Sequence, residues 1–196
     1  MNRFAAVLIF LTALVLTAGC ASAPQRFYTL NSTPVTKATQ QADYSVSVGP
    51  VSIPAAVDRP QIVVRTDPHQ VSIKEFDRWA SPLKDDIARV VVENLIPLLG
   101  TTQISVFPRA QASDTNYRCT IDILRFDSEL GKSATLDALW KVSSSKDGRV
   151  HHGRTTLSEP ARGSDFTALV AAHSRAMGQL SADLAAAIRE MESTKH

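Results

Sequence analysis

The sequence predicts an α+β domain of two layers, with a mainly antiparallel sheet and two principal helices packed on one of its faces. Two stretches have an apolar residue at every third or fourth position, as amphipathic helices do. The segments around them alternate apolar and polar residues, as half-buried strands do. The order along the chain is strands, helix, strands, helix, and residues 44–196 are expected to form this single domain.

The first strands precede the first helix. Alternation predicts a strand from Val46 to Pro54 and a hairpin formed by residues 62–66 and 71–74. Asp67-Pro68 marks the turn of this hairpin, because proline presets φ and aspartate can bond its own backbone. Residues 27–30 are expected to dock as a short edge strand.

The first helix is expected to begin at Ser81, a preferred N-cap residue that is followed by proline. The carboxylate of Asp86, like that of the residue before it, would lie near the positive end of the helix dipole. Pro97 interrupts the apolar pattern and predicts that the helix kinks or ends near Ile96. Gly100 closes the helix.

The second half of the chain predicts more strands and a long helix. A short strand is expected at residues 103–107, and three long strands then form an antiparallel meander: residues 117–130, 134–145 and 150–158. In the last helix, residues 165–192, the apolar residues recur at alternating steps of four and three. They form a narrow seam suited to packing on a sheet or on a partner helix.

The first twenty residues have the organisation of a secretory signal peptide and resemble the bacterial lipoprotein type. Arg3 precedes an apolar run, residues 4–16, that is too short to span a bilayer, and small residues then lead to Cys20. Thr17 stands where such signals usually have leucine. An ordinary signal peptide cleaved after Ala23 is therefore the alternative.

Acylation of Cys20 would make the mature protein a membrane-anchored lipoprotein. The resemblance implies that residues 1–19 are removed and that Cys20 carries three acyl chains, where two or more give durable anchoring. Residues 20–43 are mostly small and polar and are interpreted as a tether, with a span of roughly 25 Å. Ala21, where an aspartate would favour the inner membrane, favours the periplasmic face of the outer membrane.

Composition argues against a nucleic-acid partner and against a reactive role for the second cysteine. The chain has 21 Lys and Arg against 19 Asp and Glu, without the concentrated basic face that nucleic-acid binding needs. If Cys20 is acylated, Cys119 has no intramolecular partner. It lies in an alternating strand pattern, and a buried, inert thiol is expected there instead of a reactive one.

The sequence contains none of the common motifs for catalysis, cofactor binding or metal binding. The sequence has no phosphate-binding loop, no nucleophile elbow and no zinc-protease pair. His151 and His152 are adjacent in a strand and would point to opposite faces, which disfavours a shared metal. His173 lies on the apolar stripe of the last helix and is expected to be a hydrogen-bonded core or edge residue. We expect no enzyme activity, no metal site and no cofactor.

Two segments have the composition of a contact surface. One is residues 58–61, and the other is residues 75–82, where two aromatic side chains lie among charges, as in interface hot spots. The candidate partner-contact residues are Asp58, Arg59, Pro60, Arg78 and Trp79. The alternative is structural: Trp79 would lie over the helix start as a hydrophobic staple, and Arg78 would pair with a local acid.

The same two segments resemble a known family. The residues that carry the resemblance are Phe27-Tyr28-Thr29-Leu30, the run from Gly49 through Asp58-Arg59-Pro60-Gln61-Ile62-Val63 to Phe76-Asp77-Arg78-Trp79-Ala80-Ser81-Pro82-Leu83, then Ala88-Arg89-Val90 and Glu93-Asn94-Leu95. In these residues, the N-terminal half of the mature chain is similar to the PqiC/YmbA-like family of ABC-type transport auxiliary lipoproteins.

The resemblance implies a component of an MCE-type (mammalian cell entry) lipid transport system. The lipoprotein would be anchored in the outer membrane and dock the periplasm-spanning MCE-domain protein there. One form of this docking component would be a ring of identical subunits. Its role would be to support envelope integrity. It would neither hydrolyse ATP nor alter the lipid. Cys20, the acylation site, is the only residue to which the resemblance assigns a defined role. The alternatives are a carrier lipoprotein that holds a lipid between the sheet and the long helix, and an envelope scaffold.

Overall fold

The computed structural model describes residues 23–33, 42–108 and 115–194, and the expected signal peptide and Cys20 lie outside them. Within these residues, eight strands and two helices follow one another: β1 (Arg26–Tyr28), β2 (Val46–Ser52), β3 (Gln61–Asp67), β4 (Gln70–Trp79), α1 (Leu83–Leu99), β5 (Ile104–Val106), β6 (Tyr117–Glu129), β7 (Ser133–Ser144), β8 (Val150–Pro160) and α2 (Phe166–Ser193). The predicted order of strands, helix, strands, helix is confirmed.

The larger sheet has five strands in the order β5-β2-β6-β7-β8. The predicted antiparallel meander forms its β6-β7-β8 half, and Gly131 and Gly148 adopt φ values of +72° and +70° in the two turns. Strand β2 runs parallel to both of its neighbours, β5 and β6. Parallel neighbours need a long crossover connection, and helix α1 lies within the chain that links β2 to β5 and β6.

The smaller sheet has three strands in the order β1-β4-β3. The predicted hairpin forms its β3-β4 pair, and β1 adds to β4 in parallel. Strand β4 continues to Trp79, so residues 75–79 are part of a strand where the sequence suggested a segment leading into the helix. The α+β fold class is confirmed, with its strands divided between two mixed sheets.

Helix α1 differs from its prediction at both ends. Its N-cap is Pro82 and has no side-chain hydrogen bond, so Ser81 does not cap the helix. Pro97 lies inside the helix, which does not end near Ile96 but continues to Leu99. The helix continues past Pro97 because a proline removes only one hydrogen-bond donor. As predicted, Gly100 closes the last turn in the left-handed conformation, with its N–H 3.0 Å from the carbonyl of Ile96.

Helix α2 begins where the sequence predicted. Asp165 is the N-cap, and its carboxylate accepts a hydrogen bond from the N–H of Ala168 at 2.7 Å. The predicted seam is buried throughout: Phe166, Val170, His173, Met177, Leu180, Leu184, Ala187 and Met191. It packs against β6, β7 and β8 and against α1. Both helices and both sheets thereby share one hydrophobic core.

Part of the segment interpreted as a tether is docked on the domain. Leu30 is fully buried, and its N–H donates to the carboxylate of Asp86 at 2.7 Å. The N–H groups of Asn31 and Thr33 donate to side chains on α2 and α1. Asp86 therefore holds this segment in place, a role beyond the helix-dipole interaction that its position suggested.

Candidate partner-binding groove

The two segments that the sequence singled out meet in one groove of about 290 Å³. Strand β3 pairs with β4, which places the residues before β3 beside the end of β4 and the start of α1. The N–H of Trp79 donates to the carbonyl of Pro60 at 2.7 Å and fixes the two segments together. The groove is lined by Asp58, Arg59, Pro60, Trp79, Ala80, Ser81, Pro82 and Leu83.

A tight turn positions the charged residues of the groove. The carbonyl of Pro54 accepts hydrogen bonds from the N–H groups of Val57 and Asp58 at 3.0 and 3.2 Å. Asp58 lies 3.8 Å from the ammonium group of Lys84, and because both side chains are about half exposed the pair contributes little to stability. The Nε of Arg59 is buried and has no hydrogen-bond partner within the described residues.

Trp79 forms the apolar floor of the groove and is 5% exposed. Its indole contacts the rings of Phe126 on β6 and His173 on α2 edge-on, with centroid distances of 6.2 and 6.3 Å. These partners are distant in sequence. Trp79 therefore joins the central core as well as lying beside Leu83 at the start of α1, and a local staple would supply only the second contact.

Arg78 is separated from the other four candidate residues. Successive side chains of a strand point to opposite faces, and Asp77 and Trp79 occupy the buried face of β4. Arg78 is half-buried on the other face, and within the described residues it forms no ion pair with a local acid. The structure thus brings Asp58, Arg59, Pro60 and Trp79 together but not Arg78.

Asp77 is the structural acid that sequence reasoning missed. Its carboxylate accepts hydrogen bonds from the guanidinium group of Arg26 and from the hydroxyl of Tyr28, which is 2.9 Å away. Burial and this hydrogen bond to the carboxylate raise the pKa of Tyr28. Only the parallel pairing of β1 with β4 creates these contacts, so no local pattern in the sequence could have indicated them.

The fold packs or pairs the side chains of Cys119, His151 and His173. Cys119 is fully buried, and burial raises the pKa of its thiol to about 12, which confirms the inert interpretation. His173 is buried and hydrogen-bonded to Ser128, as predicted. His151 stacks on Trp140 with ring centroids 5.8 Å apart. Across the described ranges, no three His, Cys, Asp or Glu side chains are placed to share a metal ion.

A comparison with protein families decides the affiliation of this chain. The model of the family described as "ABC-type transport auxiliary lipoprotein component" matches residues 28–185. The chain belongs to this family. In this auxiliary lipoprotein, the matched region runs from the end of β1 through every later strand and into the last third of α2. No helix in the part of the chain that the structure describes is long and apolar enough to cross a bilayer.

Solved structures show the same fold. A protein from Xanthomonas campestris has a TM-score of 0.71 at 23% identity, over 87% of the auxiliary lipoprotein and 99% of that chain. An uncharacterised protein has a TM-score of 0.69 at 19% identity, over 84% of this chain and 99% of that one. At these identities the likeness concerns the fold alone. No curated protein matches the sequence of this chain.

Proposed function

We propose that this auxiliary lipoprotein is a non-enzymatic docking component of an MCE-type lipid transport system. Acylated Cys20 anchors it at the periplasmic face of the outer membrane, where it receives the far end of the periplasm-spanning MCE-domain protein and supports envelope integrity. The family affiliation supports a role beside an ABC-type transporter. The sequence before Cys20 supports the anchor.

The observation that carries the docking role is the convergence of the two motif segments on one groove. Its floor is the indole of Trp79, and its rim carries the charges of Asp58 and Arg59. Aromatic and arginine side chains inside a polar rim are the usual anchors of protein interfaces. The guanidinium group of Arg59, which lines the groove, supplies N–H donors for a carbonyl or carboxylate of the partner.

The carrier alternative requires space for a lipid between the long helix and the sheet. Met177, Leu180 and Leu184 project from α2 into that layer and have no exposed surface. The layer is part of the continuous hydrophobic core, and the groove at Trp79 opens elsewhere, at the junction of β3, β4 and α1. These observations favour docking over storage of a lipid.

The test is a pull-down of the full-length, acylated protein from solubilised envelope, with its native mass measured alongside. Recovery of an MCE-domain protein supports docking, and a multiple of the monomer mass supports a ring of identical subunits. Recovery of no MCE-domain protein would overturn the proposed partnership. A lone monomer that retains a lipid in native mass spectrometry would favour the carrier.

Variants assign the interaction to the groove. Arg59→Glu reverses the charge at the rim, and Ala80→Arg places a long side chain in the groove from an exposed position. Lys146→Glu, in the exposed turn between β7 and β8, makes the same charge change as Arg59→Glu at a remote site and is the control. We expect both groove variants to lose the partner and the control to keep it, with unchanged circular dichroism. Equal recovery by all three would exclude the groove.

A further inference from the structure

The docked first strand restricts how far the domain can lie from its anchor. Arg26 forms a two-pronged ion pair with Asp77, Tyr28 bonds the same carboxylate, and Leu30 is fully buried. The chain is therefore attached to the domain from residue 26 onward. The part of the tether that remains before the domain is much shorter than the one expected from composition.

Only six residues lead from Cys20 to Arg26. Six residues reach at most about 20–22 Å when fully extended, and a flexible chain of that length has a mean span of about 12–15 Å. With Cys20 acylated, which is the part of the proposed function on which this inference rests, β1 must lie close to the lipid headgroups. The side of the domain that carries β1 is then the side that meets the membrane.

The exposed face of β1 and β4 carries two aromatic side chains and a cation. Phe27 is 62% exposed and Phe76 is 41% exposed. Phe27 and Arg78 are register partners and project from the same face of the sheet, and Phe76 precedes Arg78 by two residues on the same strand. Asp77, between them, points to the buried face.

Other exposed apolar side chains are placed differently. Leu124, Leu139 and Val150 lie on the five-stranded sheet, and Val71 and Ile73 lie at the start of β4, toward the turn of the hairpin. The two exposed phenylalanines are thus the large apolar side chains next to the point where the anchor segment joins the domain. Arg78 beside them forms no ion pair within the described ranges, which leaves its charge available to a phosphate group.

We propose that Phe27, Phe76 and Arg78 form a membrane-contact surface, with a phospholipid bilayer as its partner. The two phenyl rings enter the boundary between headgroups and acyl chains, and the guanidinium group of Arg78 binds headgroup phosphates. Trp79 projects from the opposite face of β4 into the core, so its indole takes no part in this surface. Arg78 thereby acts at the membrane and not in the groove.

The test places an environment-sensitive fluorophore on a cysteine introduced by Phe76→Cys in the acylated protein. The acyl chain blocks Cys20, and the buried, high-pKa thiol of Cys119 does not compete for the label. Leu139→Cys, exposed to a similar degree on the other sheet, is the matched control. In vesicles of phosphatidylethanolamine and phosphatidylglycerol, we expect a blue shift and several-fold stronger quenching by spin-labelled lipid at position 76. Equal emission and quenching at the two positions would overturn the proposal of a membrane-contact surface.

Two further arms separate this surface from the anchor. Phe27→Ser should weaken the quenching at position 76, whereas Leu124→Ser should leave it unchanged; equal effects would count against the surface. Flotation of the acylated protein with vesicles tests the anchor first. If the protein does not float, the anchor is wrong, and the label comparison is repeated with a hexahistidine segment in place of residues 1–20 on nickel-chelating lipids. A difference between positions 76 and 139 supports the surface there too, and no difference overturns it.

Discussion

The imidazole of His173 lies flat on the ring of Phe126, with the ring centroids 4.0 Å apart and the planes 9° apart. Its Nε2 is 2.7 Å from the hydroxyl of Ser128, while its Nδ1 is buried and has no hydrogen-bond partner within the described residues. Trp79 contacts both rings edge-on. The floor of the groove and helix α2 therefore share one aromatic cluster, so a substitution in either one alters the packing of the other.

Acid should destabilise the fold through His173. Burial lowers the pKa of His173 to about 3, from 6.5 for an exposed imidazole. Below pH 6.5 the unfolded chain therefore takes up a proton that the folded protein excludes, and the free energy of unfolding falls by up to about 1.4 kcal/mol per pH unit until the folded group titrates. Urea denaturation between pH 7 and about 4 measures this slope.

His173→Gln is the control for that slope. The amide is neutral at every pH and can still bond Ser128, so the variant should lose stability at pH 7 but show a flatter pH dependence. The same slope in the variant and the parent protein would mean that other groups cause the acid sensitivity.

Gly153→Ala should destabilise the edge of the larger sheet. A Cβ at this position would lie 2.1 Å from Cζ2 of Trp140, whose Nε1 is held by the hydroxyl of Thr155 at 3.0 Å. Relief of the clash requires movement of the indole, with a cost of about 1–3 kcal/mol. Thermal and urea unfolding measure the loss. Val150→Ala, an exposed change on the same strand, should remain within about 0.5 kcal/mol, and equal losses would argue against the clash.

Asp86→Ala should release the segment after β1. The substitution leaves the N–H of Leu30 buried without an acceptor and removes the ion pair with Arg89, with a cost of about 2–3 kcal/mol. Amide exchange of residues 29–33 should accelerate. Asp85→Ala, one residue earlier and exposed, should cost less than about 1 kcal/mol and leave that exchange slow. Slow exchange in both variants would show that Asp86 does not hold the segment.

Cys119 should be unreactive in the folded protein. Because its thiol is fully buried and its pKa is raised to about 12, a maleimide at pH 8 should modify it only after unfolding. The Cys20→Ala variant contains Cys119 as its single cysteine, so the labelling rate can be followed by mass spectrometry against urea concentration. Rapid labelling without denaturant would contradict the burial.

Cys20→Ala should release the protein into the soluble periplasm and abolish its transport phenotype, because acylation would have no other site. Fractionation of the envelope, with the folded domain verified by circular dichroism, measures the release. Normal transport by the released variant would show that the acyl anchor is not needed for the proposed function.

Much of the fold could be predicted because it depends on local pattern. The seam of α2, its start at Asp165, the closure of α1 at Gly100 and the β6-β7-β8 meander follow from side-chain periodicity and turn chemistry. The two segments with the composition of a contact surface are also visible in the sequence, and the structure joins them in one groove. The position of Arg78 could not be predicted, because the extension of β4 through residues 75–79 depends on its pairing with β1.

The sequence by itself determined the class of the fold, its helices and hairpins, the inert environment of Cys119 and the likeness to auxiliary lipoproteins, since each depends on residues close together in the chain. Only the tertiary structure decided that β1 docks in parallel on β4, that Asp77 and Asp86 hold the N-terminal segment, and that Trp79 and Arg78 face opposite ways. Parallel pairing joins segments about fifty residues apart, as in the pair Phe27 and Arg78. Its register is set by the fit of buried side chains across the whole core, and no short stretch of sequence contains that information.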